Sequence, residues 1–138
     1  MRILGIDYGD SRVGIAVTDA LGITAQGLET ISHNGNDKIL LKRLDELLEE
    51  YSVDTIVVGM PFNMDGTKTV RAEVTEKFIH KLKCKYNKMK IETIDERLTT
   101  VAAHKTMNFL DVNKTKKRGI VDTISAVYIL EMYMNKNK

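Results

Sequence analysis

Apolar residues in the first third of the chain alternate over short runs set off by turn residues. Ile3 to Asp7 and Val13 to Thr18 read as strands joined by a turn at Gly9-Asp10, and Thr24 to Ser32 reads as a third, weaker strand interrupted by Gly27. Short connections, including Asp19-Ala20-Leu21-Gly22, predict an antiparallel meander. The period then changes. Leu40, Leu44, Leu47, Leu48 and Tyr51 recur at helical spacing, on a one-sided amphipathic helix begun by Asn36 or Asp37. Thr55-Ile56-Val57-Val58 is a fully apolar strand of the kind covered on both faces. Val70, Val74, Phe78 and Leu82 mark a second helix, and Lys90 to Ile94 a fifth strand ending at Asp95-Glu96-Arg97. Two closing helices span roughly Thr99 to Phe109 and Val121 to Met134. The order βββ-α-β-α-β-α-α predicts an α/β fold: a mixed five-stranded sheet, three antiparallel strands then parallel crossovers, with helices on both faces.

At 138 residues the chain is expected to form one domain, residues 1–138, with a core that needs neither disulfides nor a structural metal. No run approaches the roughly 18 apolar residues of a membrane span. Met1-Arg2-Ile3-Leu4 enters strand-like sequence directly, so the expected compartment is the cytoplasm and no membrane partner is expected. Cys84 is the only cysteine, which excludes an intramolecular disulfide and a thiolate zinc site. His33, His80 and His104 show no ligand spacing and are expected at the surface or at caps.

Charge changes the picture more than composition does. Residues 1–67 hold 5 Lys and Arg against 11 Asp and Glu, whereas residues 68–138 hold 16 against 8. A basic half predicts a polyanionic partner. Lys77, Lys81, Lys83, Lys85, Lys88 and Lys90 also read simply as the solvated face of one helix and its exit turn.

Three carboxylate positions stand out. Asp7 ends the first strand, where β-propensity is poor and burying a charge is costly. Asp95-Glu96 end the last strand, and parallel strands deliver functional groups to their carboxyl edge. Asp122 is expected to begin the final helix after the basic loop Lys114-Thr115-Lys116-Lys117-Arg118-Gly119, where it also reads as a capping residue. Carboxylates gathered without histidines or thiolates select a hard cation, Mg2+ or Mn2+. Two such ions activate water for phosphodiester hydrolysis. Alternation leaves open which of Asp95 and Glu96 faces the cleft. After the buried strand, Met60-Pro61-Phe62-Asn63-Met64-Asp65-Gly66-Thr67 is expected on the same edge, with Asn63 bonding a base or sugar and Phe62 stacking.

Four blocks resemble the YqgF (RuvX) family of RNase H-like nucleases. They are Gly5-Ile6-Asp7-Tyr8-Gly9 with Arg12-Val13-Gly14-Ile15-Ala16-Val17, then Val57 to Thr67, then Asp95-Glu96-Arg97-Leu98-Thr99-Thr100, and Val121 to Glu131. The resemblance covers nearly the whole chain. It implies an RNase H-like fold and a catalytic metal site at Asp7, Glu96 and Asp122 that holds two ions of Mg2+ or Mn2+. Arg97, Lys114, Lys116, Lys117, Arg118 and Asn63 are then the expected nucleic-acid contacts. The implied substrates are structured RNA, the 5′ end of precursor 16S ribosomal RNA, or branched DNA in a Holliday junction. The segment Asn113 to Gly119 is longer and more basic than the family pattern. A non-catalytic RNA-binding assembly factor is the competing class. An actin-like ATPase or sugar kinase needs a second phosphate-binding domain, which this length does not supply. The oligomeric state is open at this level.

Overall fold

The computed structural model describes residues 2–62, 65–96 and 115–136, the side chains of 115–122 excepted. The elements are β1 (Arg2–Tyr8), β2 (Arg12–Thr18), β3 (Ala25–Ser32), α1 (Asp37–Glu50), β4 (Val53–Met60), α2 (Val70–Lys85), β5 (Lys90–Asp95) and α3 (Thr115–Lys136). The sheet order is β3-β2-β1-β4-β5. β1, β2 and β3 pair antiparallel, and β4 joins β1 and β5 in parallel, which is the mixed five-stranded sheet expected.

The helices begin where capping chemistry places them. The Asn36 side chain accepts from the Lys38 amide at 3.0 Å, and the Thr69 hydroxyl accepts from the Ala72 amide at 2.9 Å. The expected helix Thr99 to Phe109 lies outside the described residues. The last helix differs from expectation: it starts at Thr115, not Val121. The segment read as a basic loop is therefore helical backbone from Thr115 onward, and Asp122 lies about two turns inside α3 rather than at its start. Lys and Arg are good helix formers, and the single Gly119 costs only about 1 kcal/mol, so the helix runs through.

The sheet carries one core on each face. Leu4, Ile6, Ile15, Ile56 and Val58 meet Leu40, Leu44 and Phe78 of α1 and α2. Ala16, Val57 and Ile94 meet Ala126, Ile129, Leu130 and Tyr133 of α3. Each fully buried Leu or Ile stabilises the fold by about 1.5–3 kcal/mol. The α3 side is the flatter floor: Gly27, Ala16, Gly5 and Val57 form one register row across β3, β2, β1 and β4. A Cβ at Gly5 would lie 2.5 Å from Leu130 Cγ and 3.0 Å from the Ala126 carbonyl oxygen, so the missing side chain lets α3 press onto the sheet.

The α2 lysines lie on the outside of the molecule. Lys81 pairs with Asp37 at 2.9 Å and Lys85 with Asp45 at 3.0 Å, so the acidic α1 faces the basic α2. Each exposed pair contributes little, about 0–1 kcal/mol.

Candidate active site

Alternation along β1 sends Leu4 and Ile6 into the α1–α2 core and Gly5 and Asp7 toward α3. Asp7 is 7% exposed. Ile94 of β5 belongs to the α3-side core. Two residues on, the Glu96 amide donates to the Met60 carbonyl at 3.2 Å, so the ladder continues one step beyond the strand. Glu96 thus keeps the face of Ile94 and is 6% exposed. Asp95 pairs with Met60, a member of the opposite core, and is exposed. The alternation left open in the sequence is resolved by which core each neighbour joins: Glu96, not Asp95, shares the α3 face with Asp7.

Gly59 is what lets Glu96 reach across β4 toward β1. It pairs with Ile94 and lies one residue past the Ile6–Val58 pair, beside Asp7 on the adjacent strand. A Cβ at position 59 would sit 2.4 Å from Glu96 Oε2 and 2.6 Å from Ile129 Cδ1. The Glu96 carboxylate therefore folds back over β4 into space that only glycine leaves, toward a strand about 4.8 Å away. Ile129 closes the cradle on the helix side. Burying a carboxylate is costly unless hydrogen bonds or a positive charge compensate it. An all-oxygen, all-carboxylate donor set over an empty Cβ position suits a hard divalent cation, not zinc or copper. No group of three His, Cys, Asp or Glu gathers among the described residues. The side chain of Asp122 lies outside them.

The turn that follows Asp7 is clamped from two sides by residues the sequence did not single out. Arg71 of α2 donates to the Tyr8 carbonyl at 2.7 Å and forms an ion pair with Asp10. From the other side His33, expected at the surface or a cap, is 1% exposed. Its Nδ1 accepts from the Gly35 amide at 3.1 Å, so its Nε2 is the donor to the Gly9 carbonyl at 2.9 Å. Tyr8 stacks on Phe78, with centroids 4.2 Å apart, and on His33 at 5.6 Å. The Tyr8 hydroxyl donates to Asp37 at 2.8 Å. Burial and that bond push the Tyr8 phenol well above its ordinary range. Burial pushes the Asp37 carboxyl up, but hydrogen bonds from Lys81 and Tyr8 outweigh it and hold the group low.

His33→Ala removes both bonds and leaves a cavity beneath the turn. The expected loss is about 3 kcal/mol in urea unfolding. A loss under about 1 kcal/mol would mean that the turn holds itself.

The other expected contacts divide by location. Asn63, Arg97 and Lys114 lie outside the described residues. Lys116, Lys117 and Arg118 fall in the first turns of α3, with their side chains outside the description. Phe62 departs from expectation: it packs against the α1–α2 core and lines a cavity of about 430 Å³ with Met60, Ile79, Lys83 and Thr93. It lies on the sheet face opposite Asp7, because the chain leaves β4 toward α2. A bridge between Phe62 and Lys68 fixes it there.

The whole architecture is shared with solved nucleases of RNase H-like fold. RuvC of Thermus thermophilus in complex with Holliday junction substrate aligns with a TM-score of 0.59 at 12% identity, covering 99% of this chain and 96% of that one. The fowlpox virus Holliday junction resolvase aligns with a TM-score of 0.56 at 15% identity, covering 99% of both. At such identities the likeness is one of fold. Residues 1–136 match the family model described as "RuvX: Holliday junction resolvase", and the chain belongs to that family. Relatives from Ruminiclostridium cellulolyticum and Acetivibrio thermocellus are each named "Putative pre-16S rRNA nuclease". The first is 54% identical over 99% of this chain and 95% of its own length, the second 53% over 98% and 96%. Family and relatives together make this chain a hydrolase of phosphodiester bonds.

Proposed function

We propose that this chain is a divalent-metal-dependent nuclease that processes the 5′ end of precursor 16S ribosomal RNA. The observation that carries the reading is the pair of buried carboxylates on the α3 face, Asp7 at the end of β1 and Glu96 reaching over Gly59, at the carboxyl edge of the parallel strands. Asp7, Glu96 and Asp122 are the residues that would hold Mg2+ or Mn2+. Two such ions, when bound, supply an activated water and a counter-charge for the leaving oxygen. The chain's own part is positional. Arg71 and His33 hold the turn after Asp7, Gly59 admits the Glu96 carboxylate, and Ile129 excludes water from the helix side of the cradle.

Asn63, Arg97, Lys114, Lys116, Lys117 and Arg118 are assigned to the nucleic acid, the cations to its phosphates. The names of the full-length relatives support RNA as the substrate. The structural neighbours, which act on Holliday junctions, make branched DNA the alternative. A cytoplasmic setting belongs with the RNA reading. Among the described residues no helix is long and apolar enough to cross a membrane.

The test offers precursor 16S RNA and a four-way DNA junction to the protein, each with Mg2+ or Mn2+. Shortening of the RNA at its 5′ end, with the junction left intact, is expected. Affinity for the RNA is expected to fall steeply between about 50 and 200 mM salt as phosphate contacts release counterions. Preferential cutting of the junction would make it a resolvase. RNA bound but left whole would make it a non-catalytic assembly factor.

A further inference from the structure

Ser125 of α3 is fully buried, and among the described residues its hydroxyl has no hydrogen-bond partner. A serine inside a helix ordinarily bonds a carbonyl one turn back or turns toward solvent. Ser125 does neither. Its neighbours on the buried side of α3, Ala126, Ile129 and Leu130, are apolar. An alanine would fill the position with better helix propensity.

Its place in the fold gives the hydroxyl a use. Ile129, one turn later on the same side of the helix, brings Cδ1 to within 2.6 Å of the vacant Cβ position of Gly59, the point that Glu96 Oε2 approaches to 2.4 Å. The next residue, Ala126, sets its carbonyl oxygen 3.0 Å from the corresponding point on Gly5, two residues before Asp7. Position 125 therefore lies one turn before Ile129 on the stripe of α3 that closes the cradle. Asp122 stands three residues earlier on that stripe.

We infer that Ser125 is a positioning residue of the acidic site, whose hydroxyl oxygen accepts a hydrogen bond from a water carried by the divalent ion. The inference rests on the metal reading given above. Mg2+ sheds its waters reluctantly and keeps several when bound by few carboxylates. Each such water has protons to give. The carboxylates spend their oxygens on the cation, and the Ser125 oxygen, one turn of α3 from Ile129, is a buried acceptor with none of its hydrogen-bonding capacity used among the described residues. Outer partners of this kind typically govern affinity 10–100-fold.

The experiment measures Mn2+ binding by titration calorimetry on the full chain, together with the metal-free Tm. Ser125→Ala is expected to keep or raise the metal-free Tm, since an unsatisfied buried hydroxyl is removed, and to weaken Mn2+ binding about tenfold or more. An Mn2+ affinity within twofold of the parent overturns the inference and leaves the metal reading intact. A lowered metal-free Tm also overturns it, by showing that the hydroxyl serves the apo fold. A parent chain that takes up no Mn2+, with Asp7→Asn behaving identically, overturns the metal reading and this inference with it.

Discussion

Asp7→Asn is expected to lower cleavage by more than about 100-fold while leaving the metal-free protein at least as stable as the parent. The loss should exceed that of an outer partner, whose removal costs 10–100-fold, because the carboxylate itself is assigned to the cation. The stability sign follows from burial. Asp7 is 7% exposed, and a neutral amide of the same shape lifts the cost of keeping a carboxylate out of water. Metal should reverse the ranking. A cation present at a hundredfold excess over its Kd stabilises the parent by about 2.7 kcal/mol, on the order of 10 °C for a chain of this size. The variant should gain almost none of that shift. Glu96→Gln is expected to behave likewise. Thermal scans with and without Mg2+ decide the matter independently of any nucleic acid. An Asn variant that cuts as fast as the parent removes Asp7 from the site.

Gly59→Ala carries the second large effect, and it separates stability from function. The added methyl would meet Glu96 Oε2 at 2.4 Å and Ile129 Cδ1 at 2.6 Å. Both are far ends of flexible side chains, so the fold yields by moving them, at about 1–2 kcal/mol of over-packing. The Glu96 carboxylate cannot yield without leaving the cradle. Misplacing a catalytic group by about 1 Å costs on the order of 100-fold. A folded variant with activity down by that factor and weakened Mn2+ binding is therefore expected. Full activity would show that the carboxylate has no use for the space above Gly59.

Much of this was legible in the order of polar and apolar residues. The strands around Ile6, Ile15 and Val58, and the leucine stripe from Leu40 to Leu48, follow their periods because each has a core to fill. The start of α3 was not legible. Lys116-Lys117-Arg118-Gly119 has the composition of a loop, and Asp122 the chemistry of a cap, yet the helix begins at Thr115. Part of the charge asymmetry is answered within the fold. The acidic α1 and the basic α2 are far apart in sequence but adjacent in space, where Asp37 and Asp45 answer Lys81 and Lys85. Choosing between Asp95 and Glu96 needed the identity of the core beneath each face, which periodicity alone does not assign. The uses of Gly59 and His33 depend on neighbours more than twenty residues away. A single glycine or histidine leaves no local mark of such contacts. Phe62 looked exposed because its loop is polar, but the chain turns it toward α2.

The most direct test of the central claim is anomalous diffraction from crystals of the protein grown with Mn2+. The account predicts a strong anomalous peak bridging the carboxylates of Asp7 and Glu96 above Gly59, at metal–oxygen distances close to the roughly 2.0–2.1 Å of Mg2+. Density for the protein at those side chains with no anomalous peak between them, or with Mn2+ bound only elsewhere on the surface, would contradict it.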